Sequence, residues 1–122
     1  MANKAVTLYN FYKQFLHPYE ENSVPQSAQL PYLTYNIVTN AWDSGDTGLS
    51  ISLWYKDTSW ASANAMSDKI SETIGYGGIT LPCDGGYIWL KRGYPFSQNL
   101  PDEDSTIKRK LINITAEYLT LN

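Results

Sequence analysis

The sequence predicts an α+β fold, with two helices packed on one face of a mainly antiparallel sheet, in the order α-β-β-α-β-β-β. Three observations carry this expectation. Residues 3–16 and 60–74 repeat apolar side chains at steps of three and four, the spacing of a helix face. The stretches between and after them alternate apolar and polar residues, as strands with one wet face do. The interruptions are rich in Gly, Asp and Pro, which suit turns.

In the first helix Val6, Tyr9, Tyr12 or Lys13, and Leu16 share a stripe, with Ala5, Leu8 and Phe15 beside it. Asn3 is placed to cap the start. His17-Pro18 ends the helix, because the residue before proline avoids the α region. "PYEENSVPQSAQLP" (18–31) then reads as one long loop.

"YLTYNIVTNAW" (32–42) comes next, with Leu33, Tyr35 and Ile37 on one face and Tyr32, Thr34, Asn36 and Val38 on the other. After the turn residues "DSGDTG", "LSISLWYK" (49–56) alternates Leu49, Ile51, Leu53 and Tyr55 against Ser50, Ser52, Trp54 and Lys56. Two such runs joined by a Gly/Asp turn predict an antiparallel hairpin.

The second helix places Trp60, Ala63, Met66 or Ser67, Ile70 and Ile74 on its apolar stripe, and Gly75 at its end. A hydroxyl of Thr58 or Ser59 is positioned to accept a backbone N–H of the first turn, and Asp57 complements the positive end of the helix. "GGITLPC", a turn at Asp84-Gly85-Gly86, and "YIWLKRGY" make the next two strands. A loop, "PFSQNLPDEDS", leads to a terminal strand in which Ile112, Ile114, Ala116 and Tyr118 alternate with Asn113, Thr115, Glu117 and Leu119.

At 122 residues the chain is expected to be one domain, 1–122. Charged residues are only 17%, while there are ten Tyr and four Trp, rings that are enriched where proteins meet partners. The net charge of −3 argues against a domain devoted to phosphate backbones. Five basic residues (Lys91, Arg92, Lys108, Arg109, Lys110) near Trp89 or Tyr94 are the one feature that points the other way. A single cysteine, Cys83, suits a reducing compartment. No stretch is long and apolar enough to span a bilayer and the N-terminus has no secretory pattern, so a soluble protein made in the cytoplasm is expected.

Motifs of chemistry are sparse. One His, one Cys and scattered carboxylates give no metal-ligand spacing, and no cofactor is expected. "DSGDTG" lacks the third acidic position and the terminal glutamate of a calcium loop. "GYGG" (75–78) comes after a helix rather than opening one, so it cannot cradle a phosphate on helix N–H groups. Cys83 has no basic neighbour in sequence to activate it, and the hydroxyls of Thr58 and Ser59 have no histidine base nearby in sequence. No enzyme activity is expected.

Taken in order, "LYNFYKQF", "LPYLTYNIV", "SLWYKDTSW", "GYIWLKRG" and "PDEDSTIKRKLINITAEY" resemble the small tail-terminator (tail-completion) proteins of long-tailed bacteriophages, including the minor capsid proteins of phages of Gram-positive bacteria. The resemblance covers nearly the whole chain, and "YLTY…SLWY…TSW" is its most specific part. It implies a structural virion protein that forms a hexameric ring at the head-proximal end of the tail tube. Such a ring ends tube polymerisation and meets the head connector, so the partners implied are a tail tube protein and a head-completion protein. A head–tail connector, a tail tube subunit and a small ligand-binding α+β domain are the alternatives.

Three contact regions are expected. The proline loop around residues 20–29 carries Glu20 and Glu21, and the acidic loop around 96–104 carries Asp102, Glu103 and Asp104. The uncovered sheet face carries Trp54, Trp89 and Lys91. Lys108, Arg109 and Lys110 are expected to pair with acids of a neighbouring subunit.

Overall fold

The computed structural model describes residues Met1–Asn122. It is α+β, with helices α1 (Lys4–Lys13) and α2 (Ala61–Ile74) and strands β1 (Pro18–Glu20), β2 (Tyr32–Tyr35), β3 (Asp46–Lys56), β4 (Ile79–Cys83), β5 (Gly86–Leu100) and β6 (Ile107–Thr120). The strands form one mixed sheet in the order β1-β2-β3-β6-β5-β4. Both edge strands touch α1, because the sheet curls until its two edges approach the same helix. α2 packs inside the curl against β3, β5 and β6.

Asn3 caps α1 as expected, its side chain accepting from the Val6 N–H at 2.9 Å. The buried face is Leu8, Phe11, Tyr12 and Phe15, whereas Val6 is exposed, so the core stripe lies one step around the helix from the one expected. That face is selected by the aromatic cluster it joins. Phe11 meets Phe15 edge-on at 5.4 Å, and Tyr12 lies 5.2 Å from Tyr35 on β2.

β1 is a correction to the long loop. Pro18–Glu20 pairs parallel with β2, and the Leu33 N–H bonds to the His17 carbonyl at 3.0 Å. Parallel neighbours need a crossover of about a dozen residues, which residues 21–31 supply. The order is therefore α-β-β-β-α-β-β-β, and the sheet is mixed, mainly antiparallel with one parallel pair at β1–β2.

β2 and β3 are antiparallel, but β2 stops at Tyr35 instead of running on to Trp42. Beyond that point side chains hold residues 38–40 in place. The Tyr118 hydroxyl donates to the Val38 carbonyl at 2.5 Å and Lys4 Nζ to the Asn40 carbonyl at 2.9 Å. β5 and β6 form the longest pair, and β5 continues past an irregularity between Arg92 and Ser97 to Leu100. Residues 95–100, expected in a loop, are therefore strand, and only residues 101–106 connect β5 to β6.

At the start of α2 the Ser59 hydroxyl accepts from the Ala61 N–H at 3.3 Å, and Asp57 accepts from the Ser59 N–H and the Ser62 hydroxyl, both at 3.2 Å. The Ser59 N–H, helped by the Ser62 hydroxyl, holds the Asp57 carboxyl below its usual range. Gly75 takes the positive φ expected at the helix end but with an extended ψ.

The core joins Leu33, Leu49, Ile51, Leu53, Ile88, Leu90, Ile112, Ile114 and Ala116 of the sheet with Ile70 and Ile74 of α2 and the aromatic face of α1. Fully burying one such large aliphatic side chain contributes about 1.5–3 kcal/mol. The alternation that buries these residues sends their neighbours to the outer, convex face.

Candidate interaction surface on the outer sheet face

Five side chains from four strands and the turn before them line up across one end of the outer face. His17 makes a tilted ring contact with Tyr19 at 4.5 Å, Tyr19 meets Tyr32 edge-on at 5.5 Å, and Tyr32 lies 6.5 Å from Trp54. The Arg109 guanidinium sits 4.9 Å from the Trp54 ring centroid. Register explains the row: Tyr19 stands beside Thr34, Tyr32 opposite Trp54, and Trp54 opposite Arg109.

The row is pinned from below. Trp54 Nε1 donates to the Thr34 hydroxyl at 2.9 Å and Arg109 Nε to the Ser52 hydroxyl at 3.2 Å. Those two hydroxyl residues are only 6% and 2% exposed, so rings and guanidinium roof them over. Tyr19, Tyr32, Trp54 and Arg109 themselves remain half-buried, with one side against the sheet and one towards water.

Trp89 and Lys91 lie on the same face but at the far end. Trp89 stands opposite Glu117 on β6, eight residues beyond Arg109, which is about 26 Å at about 3.3 Å per residue. Lys91 is engaged within the chain, hydrogen-bonding Asp46 at 3.0 Å, with a longer ion pair to Glu117 at 3.9 Å, over the Trp89 ring. Trp89 Nε1 donates to the Gly77 carbonyl at 2.9 Å. Trp54 and the Trp89–Lys91 pair are thus two separate features.

The basic triplet does not act as one patch, because strand alternation splits it. Arg109 is on the outer face. Lys108 lies on the inner side with its Nζ 5.6 Å from the Trp60 ring. Lys110 is 8% exposed beneath α2, donating to Asn64 at 2.9 Å and Asn99 at 2.7 Å. Burial lowers its pKa, with Asp68 opposing the shift. In the isolated chain the Lys110 ammonium is held by Asn64 and Asn99 of its own chain, so it does not share a surface with Arg109.

The acids form two groups at different ends. Asp102, Glu103 and Asp104 sit in the β5–β6 connection, where Asp104 accepts from both the Thr106 hydroxyl (2.7 Å) and the Thr106 N–H (2.9 Å), which lowers its pKa. Glu20 and Glu21 border a shallow groove of about 180 Å³ with Asn22, Ser23, Tyr35, Asn36 and Ile37.

Alternation in the sequence places Trp54 on this face but does not reveal the row it belongs to. Tyr19 escapes it because β1 spans three residues, too short for a period of two to register. Cys83 is buried, which raises its thiol pKa, and no group of three or more His, Cys, Asp or Glu side chains is placed to hold a metal ion. No helix is long and apolar enough to cross a membrane. No protein-family model matches the chain, and no curated protein matches it.

Proposed function

We propose that this chain is a structural subunit of a phage tail terminator, acting by surface complementarity in a ring at the head-proximal end of the tail tube. The observation that carries this reading is the row His17–Tyr19–Tyr32–Trp54–Arg109. Tyr, Trp and Arg pre-positioned on a rigid sheet are the residue types that dominate the binding energy of protein interfaces. Their rotamers are already fixed by packing and hydrogen bonds, so association costs little further side-chain entropy. The low content of charge and the resemblance of the whole chain to tail terminators support the same reading. A ring built from head-to-tail contacts needs two different lateral surfaces and two ends per subunit. In this reading the aromatic row and the Trp89–Lys91 end of the sheet, about 26 Å apart at about 3.3 Å per residue, belong to different surfaces.

The test is electron microscopy of the purified protein mixed with the tail tube protein of its phage. Tubes of limited length with a distinct ring at one end are the expected result. Uncapped tubes without added density would overturn the terminator role, and a protein that stacks into tubes by itself would instead be a tail tube subunit. Trp54→Ala combined with Arg109→Ala is expected to abolish the ring while leaving the fold intact.

A further inference from the structure

The second half of β5 leaves a strand edge open, whereas the two outermost strands of the sheet are blunted. The edge strands β1 and β4 carry Pro18 and Pro82, residues that discourage pairing with another strand. β5 pairs with β4 only as far as Leu90, so its second half has β6 on one side and no strand on the other. The exposed stretch is Phe96, Ser97, Gln98, Asn99 and Leu100, uncharged and bracketed by Pro95 and Pro101.

Backbone alternation identifies which groups face outward. The Leu121 N–H bonds to the Gly85 carbonyl and Asp57 N–H to the Thr106 carbonyl, so odd-numbered residues of β6 face β5 and even-numbered ones face β3. Leu111 and Arg109 therefore exchange bonds with Gln98 and Leu100. The N–H and C=O of Ser97 and Asn99 point to the open side, where no hydrogen bond reaches them.

The chain also holds a segment with strand character and no ladder. Asn36, Ile37, Val38, Thr39 and Asn40 extend the alternation of β2, are likewise uncharged, and lie beyond the last paired residue, Tyr35. Their Val38 and Asn40 carbonyls are taken by Tyr118 and Lys4, while Ile37 and Thr39 make no backbone hydrogen bond. Ile37 opens onto the groove beside Glu21 and Ser23, which leaves room alongside it.

We infer that these are the two halves of one intermolecular contact, in which residues 36–40 of one copy add as a strand to the open β5 edge, residues 96–100, of the next. The occupant is a second copy because one chain cannot satisfy itself. The donor continues β2, second from one side of the sheet, and the acceptor is β5, second from the other. Both are five residues long and neither carries a charge that would oppose close approach. Each copy uses one segment as donor and the other edge as acceptor, so the contact is head-to-tail and suits a ring. This deepens the proposed function and rests on the self-association proposed there.

Amide hydrogen exchange compares the unassembled protein with the protein assembled at high concentration or on tail tube protein. Ile37, Thr39, Ser97 and Asn99 amides are expected to slow together on assembly. Ser97→Pro and Thr39→Pro remove donors that the isolated chain leaves unused. Each is expected to weaken association about tenfold, the equivalent of one or two backbone hydrogen bonds, with thermal stability of the monomer little changed. Association as tight with Ser97→Pro as with the wild-type chain, or assembly that leaves those four amides as fast as before, overturns the strand addition and leaves the ring reading standing. A wild-type chain that stays monomeric even with tube protein overturns both. The exchange comparison uses the unmodified chain, so it decides the matter even where a proline variant fails to fold.

Discussion

Two core tyrosines that lie close together should respond in opposite directions to the same deletion. Tyr12 is fully buried and its hydroxyl has no hydrogen-bond partner, whereas the equally enclosed Tyr118 donates to the Val38 carbonyl at 2.5 Å. An unpartnered buried hydroxyl carries a desolvation penalty of about 1–3 kcal/mol, which folding must offset elsewhere. Tyr12→Phe removes that penalty and forfeits only the dispersion contacts of one oxygen, so it is expected to stabilise the chain by about 1 kcal/mol. Tyr118→Phe leaves the Val38 carbonyl without its donor and is expected to cost about 1–2 kcal/mol. An unfolding entropy of about 2.1 cal/mol/K per residue over 122 residues makes 1 kcal/mol worth roughly 4 °C. Urea titration with calorimetry on both variants reads the signs directly. A Tyr12→Phe protein less stable than wild type by more than about 0.5 kcal/mol, beyond the usual scatter of neutral substitutions, would refute the reasoning and mean that the hydroxyl is hydrogen-bonded.

Charge reversal should separate the basic triplet. Lys110→Glu puts a carboxylate against the Asn64 and Asn99 oxygens near Asp68 and should cost about 3–5 kcal/mol, while Arg109→Glu on the surface should cost under about 1 kcal/mol, both measured by thermal unfolding. Gly86→Ala should lose about 1–3 kcal/mol in the same assay, because Gly86 sits at φ 151° and a Cβ would collide with the Leu119 carbonyl. Alkaline pH should expose Tyr118, whose phenol burial pushes up to about 12 from about 10 in the unfolded chain. A raised tyrosine pKa contributes stability that is complete below pH ~10 and lost as pH rises through ~12. The stability gap between wild type and Tyr118→Phe should therefore narrow over that window and be flat below it; a gap independent of pH would refute the assignment.

Strands and helices with a long, uninterrupted pattern were legible from residues alone. β3 and β6 bury Leu49, Ile51, Leu53, Ile112, Ile114, Ala116 and Tyr118 on the face that alternation assigns, because a period of two leaves no other register against a one-sided core. The corner at Asp57–Ser59 was legible as a helix cap for a similarly local reason: short polar side chains there reach backbone donors two residues away. The aromatic row was legible only in part. Trp54 and Arg109 each stand out in the sequence, yet their contact depends on β3 and β6 being neighbours, which no local pattern specifies.

Local chemistry by itself determined the two helices and the long strands β3 and β6, with their core faces and the cap at each helix start, since each depends on interactions within a few residues. Tertiary structure alone decided the rest. Curling of the sheet brought both edges to α1 and turned the Leu8–Phe11–Tyr12–Phe15 side inward. Pairing with β2 made a strand of three residues that have no pattern of their own, and Tyr118 and Lys4 reached across the fold to hold residues 36–40 out of the ladder. In each case the deciding partner is remote in the chain, and the energy of a remote contact is written in the geometry that brings it near rather than in the spacing of neighbouring residues.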